Sequence, residues 1–168
     1  MTPFFILRNF INALLKEKSP GAIGAAAAFG FILGIIPKNN LTAHLLFILA
    51  FVFKTNIPFF FISTIFFSSI SFLVDKITDP VGYCILTSNW LYPLFRQLYN
   101  TVIIPWTDFN NTVVIGGVFL GLIVFYPIYY FFKKIAERYL LDLGKKISQM
   151  RVIRLLRLSW LFEWYFKD

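Results

Sequence analysis

Two apolar runs, each too short to cross a bilayer comfortably, meet at a polar break in the first third of the chain. Residues 21–36 and 41–53 are separated by Pro37-Lys38-Asn39-Asn40, and the second run ends at Lys54-Thr55-Asn56 before Ile57-Pro58 restarts the chain. At 1.5 Å of rise per residue the two runs reach about 24 Å and about 20 Å, against a hydrocarbon core of about 30 Å. This pattern predicts a broken helical hairpin that either re-enters or spans short. Its break must be enclosed by protein or line a wet cavity, because lipid cannot satisfy free backbone groups. Pro37, Lys38, Asn39, Asn40 and Asn56 are therefore a candidate functional polar break, with turn chemistry and a snorkelling Lys38 as the plainer reading. His44, one turn into the second arm, has no carboxylate or cysteine near it in sequence and reads as a packed or interfacial histidine.

Composition places the hairpin in a membrane protein. Of 168 residues 58% are hydrophobic and only 14% are charged, where a soluble domain carries about 25%. The length suits one domain over residues 1–168. A single cysteine, Cys84, excludes an intramolecular disulfide, and there is no Cys/His set for a metal. We expect no cofactor.

The remaining segments follow in order. Residues 1–20 read as an interfacial lead-in with Leu7, Phe10, Ile11, Leu14 and Leu15 on one face, closed by Ser19 as N-cap and Pro20 at N1. Within 21–53, Gly30 and Gly34 have the small-xxx-small spacing of tight helix contacts, and the second arm is the expected neighbour. Residues 57–74 read as a span, with hydroxyls at Ser63, Thr64, Ser68, Ser69 and Ser71 available between helices. Asp75 and Asp79 follow as a candidate acidic pair that could hold a cation or carry protons, or simply mark a solvated exit before Pro80. Residues 81–111 carry Trp90, Tyr92, Tyr99 and Trp106 and read as an outer interfacial segment. Residues 112–132 form the clearest span, about 31 Å long.

The basic tail, 133–168, carries Arg151, Arg154 and Arg157 at spacing three amid apolar and aromatic residues. That stripe suits anionic lipid headgroups, and we expect membrane lipids rather than nucleic acid as its partner. Residues 1–20 net +2, 75–111 net −1 and 133–168 net +5, so the positive-inside rule puts both termini in the cytoplasm. The expected fold is an all-α integral membrane protein: the hairpin, two further transmembrane helices, and interfacial helices in the middle and at the C-terminus.

Gly30-Phe31, Leu33-Gly34, Pro37-Lys38-x-Asn40-Leu41, Asn56-x-Pro58, Asp75, Asp79, Gly82, Asn100, Pro105 and the run Phe109-Asn110-Asn111-Thr112-Val113-Val114 resemble a family of small bacterial membrane proteins of unknown function. That family is related to a wider domain of unknown function with a Gly-Phe…Leu-Gly…Pro core and an Asn-x-Pro motif. Where the wider domain carries Asn-Pro after its third apolar run, this chain carries Phe67-Ser68-Ser69. The resemblance makes Phe109, Asn110, Asn111 and Thr112 a candidate family motif. It implies a Gram-negative-type inner membrane and no established activity, so no catalytic residue is carried over. We expect a non-enzymatic subunit or anchor of an envelope complex, with a larger envelope protein and lipid as partners. The alternative is a small transporter or ion pathway using Asp75 and Asp79. An enzyme would need a nucleophile with its base or a metal set, which one His and one Cys do not supply.

Overall fold

A computed structural model describes residues 19–140, and all regular structure among them is helical. The Arg151, Arg154 and Arg157 stripe and nearly all of the lead-in lie outside the described residues.

The first helix, α1 (Pro20–Ile35), starts as its sequence predicts. The Ser19 hydroxyl accepts from the Ala22 N–H at 3.3 Å, and Pro20 is the first helical residue. Every residue from Ala26 to Ile36 is buried, so α1 is apolar all round because it is enclosed all round. It runs up the centre of the molecule.

The neighbours of α1 differ from the expected one. Gly30 and Gly34 face α3 (Ile57–Ser69) and not α2 (Leu41–Val52). A Cβ on Gly30 would lie 2.6 Å from the Ser63 Cβ, and one on Gly34 would lie 2.5 Å from the Phe67 Cβ. On another side, Ile32 and Ile36 fill the space left by Gly121 and Gly117 of α6 (Thr112–Ile135). The small-residue spacing reports a close approach and carries no address for the partner, which is why sequence proximity misassigned it.

These contacts fix directions. Gly24 meets Tyr129 and Lys133 while Ile36 meets Gly117, so α1 and α6 are antiparallel. The Asn56 N–H donates to the Ala22 carbonyl at 3.2 Å while Phe67 meets Gly34, so α1 and α3 run parallel. Between them α2 returns the chain, and Phe53 at its end stacks on Phe29 of α1 at 5.5 Å. Ser19, Lys54, Asn56 and Lys133 thus share one end of the molecule, and the Pro37–Asn40 break and the start of α6 share the other.

The helix expected over 57–74 is interrupted. It stops at Ser69 and restarts at Ile70 as α4 (Ser71–Leu86), bent by 78°. Thr64, Ser68 and Ser69 hydroxyls donate to carbonyls four residues back, at 2.7–2.9 Å. Such back-bonding competes with the helical ladder and bends it. The hydroxyls expected to bridge helices are mostly spent within α3, and Ser68 alone of these three also reaches across, to the Gly34 carbonyl at 3.2 Å.

No helix ends at Asp79 or Pro80, since α4 continues through them to Leu86. Proline removes one ladder bond at a cost of roughly 3 kcal/mol in a helix interior. Packing on α6 offsets this: a Cβ on Gly82 would overlap the Thr112 carbonyl, and one on Gly116 would overlap the Thr78 carbonyl. Short pieces follow, α5 (Tyr92–Tyr99) and a 3₁₀ turn (Ile104–Thr107), with Trp90, Tyr92, Val102, Ile103 and Trp106 exposed. Then α6 runs uninterrupted through Pro127 and passes into a π-helical turn (Ala136–Leu140). As Thr112–Arg138 it is one helix of 27 residues, long and apolar enough to cross a membrane.

Candidate functional site

Both interruptions, the one after α1 and the one after α3, come together at one place. Gly34 lies against Phe67 and Ser68, and its carbonyl accepts both the Ser68 hydroxyl at 3.2 Å and the Lys38 ammonium at 2.7 Å. That carbonyl belongs to the last turn of α1, where free acceptors and the negative end of the helix dipole favour a cation. Lys38 itself lies outside the helices. Partial burial lowers its pKa from the usual lysine value, and the charge of Asp75 pulls it back up in part.

Asp75 is not in contact with Lys38. Among the described residues the ion pair within 4.0 Å is Lys133–Glu137, at 3.8 Å. The Asp75 Oδ1 is buried and has no hydrogen-bond partner among the described residues, and the same holds for the hydroxyl of Thr78, whose residue is 0% exposed. Spacing of three puts these two groups on one face of α4. Asp79 does something different: it is exposed and accepts from the Thr112 hydroxyl at the start of α6, where a carboxylate suits the positive end of the dipole. The acidic pair is therefore two separate devices. Thr78 gave no signal in sequence, because a neutral hydroxyl between two carboxylates marks neither a motif nor a charge.

The asparagines of the polar breaks act as caps. Asn40, 6% exposed, accepts from the Ala43 N–H at 2.8 Å and donates to the Pro37 carbonyl at 2.9 Å. Asn56, 3% exposed, accepts from the Phe59 N–H at 2.9 Å. Asn111 accepts from the Val113 N–H at 3.0 Å and reaches Asp108 at 3.4 Å. In the same motif Phe109 stacks on Phe95 at 5.9 Å, Thr112 ties to Asp79, and Asn110 is exposed. Each cap satisfies a donor that a restarting helix leaves open.

Around the hairpin tip the chain does supply cover. The Thr42 hydroxyl donates to the Thr107 carbonyl at 2.7 Å, fastening the 3₁₀ turn over the start of α2. Beneath lies a cleft of about 680 Å³ lined by Asn39, Asn40, Leu41, His44, Val102, Ile103 and Trp106. His44, exposed on α2, has its Nδ1 2.7 Å from the Asn40 carbonyl. Cys84 is exposed on α4, and among the described residues no cluster of His, Cys, Asp or Glu could hold a metal ion.

Among known proteins, the chain is similar to an uncharacterized protein of Treponema pallidum (strain Nichols), 25% identical over 151 residues that cover 90% of this chain and 93% of that protein. No family model matches the chain. No solved structure matches it.

Proposed function

We propose that this chain is a non-enzymatic, multi-pass protein of a bacterial inner membrane that serves as the membrane subunit or anchor of an envelope complex and handles lipid at its outer end. The observation that carries the reading is the distribution of apolar surface. The central helix α1 is enclosed, whereas the helices around it turn Leu45, Ile48, Val52, Phe61, Ile65, Phe66, Leu122 and Ile123 outward. Only 22% of the apolar window of α6 is buried inside the protein. Soluble monomers rarely expose contiguous apolar patches above a few hundred Å², and lipid is the medium that suits such faces. With α1, α2, α3 and α6 alternating in direction as described, the hairpin crosses with the spans, its tip covered by the 3₁₀ turn. Lys54, Lys133 and Lys134 give one end a basic excess, whereas at the other Lys38, Lys76 and Arg96 are matched by Asp75, Asp79 and Asp108, in keeping with cytoplasmic termini. The exposed Trp90 and Trp106 at the end away from Lys54 supply the kind of aromatic surface that interfaces favour.

Gentle detergent extraction followed by mass spectrometry of co-extracted proteins and lipids tests this. The reading expects an envelope protein in stoichiometric amount, lost from the W90D/W106D variant. A protein that emerges alone with bulk lipid contradicts it.

A second reading, an ion or proton pathway, is favoured by one observation, the buried and unpartnered Asp75 Oδ1 beside the unpartnered Thr78 hydroxyl. Ionisable groups within membranes mark such pathways by default. Asp75→Asn separates the two. A pathway loses proton or cation flux in proteoliposomes with the fold intact, and a subunit retains its partner and its cellular role.

A further inference from the structure

We infer that the cleft beneath the hairpin tip binds a single-chain amphiphile with an uncharged, hydroxyl-bearing headgroup, received by His44. This rests on the membrane reading above and adds to it a ligand class and a site.

The ring tautomer of His44 follows from its neighbour. A backbone carbonyl can only accept, so the 2.7 Å contact to the Asn40 oxygen puts the proton on Nδ1. In that tautomer the ring offers Nε2 as an acceptor, and no partner among the described residues meets it. The orientation is the one that a second hydrogen bond imposes on functional histidines. Asn40 is no competitor for a ligand, because its oxygen takes the Ala43 N–H and its amide donates to Pro37. Asn39 is exposed at the rim and brings an amide able to donate and accept.

Charge decides the headgroup. None of the described residues lining the cleft carries a formal charge. The adjacent Lys38 does not line the cleft, and its ammonium donates to the Gly34 carbonyl. An anionic headgroup would lose hydration there without a counter-charge, whereas a hydroxyl donates to Nε2. Leu41, Val102, Ile103 and Trp106 supply an apolar wall for the chain. The volume of about 680 Å³ falls within the usual range for small-molecule sites. Trp106 and Val102 are 76% and 88% exposed, which leaves the mouth open on the side from which a lipid tail would enter.

The test uses the full chain in phosphatidylcholine nanodiscs with a monoacylglycerol carrying a diazirine in its chain, and adducts located by peptide mass spectrometry. Lysophosphatidic acid with the same chain is the anionic control. Adducts are expected at residues 39–44 and 102–106, with the monoacylglycerol favoured. His44→Phe, which keeps a ring but removes the acceptor, should cut labelling about fivefold, the loss of one hydrogen bond, and Ile103→Asp should abolish it. Adducts spread over the outer faces of α2, α3 and α6 and indifferent to both variants overturn the inference, as does a preference for the anionic probe. An alkaline carbonate wash of the source membranes separates the two levels. Release of the protein removes the membrane reading and this site together. Retention without labelling of the cleft removes the site alone.

Discussion

At the scale of single residues, the polar positions that interrupt the apolar runs are chiefly capping devices. Asn40, Asn56 and Asn111 each accept from a backbone N–H in the first turn of the helix they open. Replacing such a cap by alanine costs about 1 kcal/mol. Asn56→Ala is thus expected to lower unfolding stability by about that amount in a denaturant titration in mixed micelles, and Asn56→Asp, which keeps the acceptor, by much less. Lys54 offers the opposite sign. It sits at φ 50° in the left-handed region, while the N–H groups of Thr55 and Lys54 donate to the carbonyls of Ala50 and Phe51. This is the Schellman ending of a helix with lysine where glycine is usual. The left-handed conformation costs a non-glycine residue roughly 1–2 kcal/mol, partly offset by the greater freedom of glycine in the unfolded chain. Lys54→Gly should therefore raise stability by about 0.5–1 kcal/mol in the same titration, and a decrease would mean that the turn is held differently.

At the scale of elements, the sequence spoke clearly where one helix sufficed and poorly where two had to meet. The start of α1 at Ser19-Pro20, the turn at 37–40 and the long apolar run of α6 follow from capping chemistry and length alone. The partner of the Gly30–Gly34 face did not, because a small residue permits approach from any helix. Nor did the break at Ile70, since back-bonding by Thr64, Ser68 and Ser69 leaves no periodic trace. The candidate site was legible as parts, Lys38 and Asp75, but the approach that lets the Asp75 charge act on Lys38 without contact depends on that unforeseen bend. The contact between α4 and α6 gives a sharp prediction of its own. Glycine to alanine in a helix ordinarily gains up to about 1 kcal/mol. At Gly116 the added Cβ would overlap the Thr78 carbonyl, a backbone atom with little room to yield, so overpacking of about 1–3 kcal/mol wins. Gly116→Ala is expected to lower the melting temperature of the purified protein, and an unchanged or raised value would place α4 elsewhere.

At the scale of the molecule, one enclosed helix organises everything else. α3 and α6 close over α1 through glycine contacts, α2 turns back beside it, and the outward faces are left apolar. The two interruptions converge near Gly34, whose carbonyl takes up Lys38 and Ser68, polar groups that lipid would not satisfy. In the proposed function these helices carry the chain through a bilayer, with the Lys54 end on one side and the α5 end on the other. Single-cysteine labelling measures this directly. In a Cys84→Ser background, Lys54→Cys and Asn100→Cys are each exposed to a membrane-impermeant maleimide, first in spheroplasts and then in inside-out vesicles. A crossing of this kind makes position 100 label in spheroplasts and position 54 only in inside-out vesicles. Labelling of both positions from the same side would contradict it.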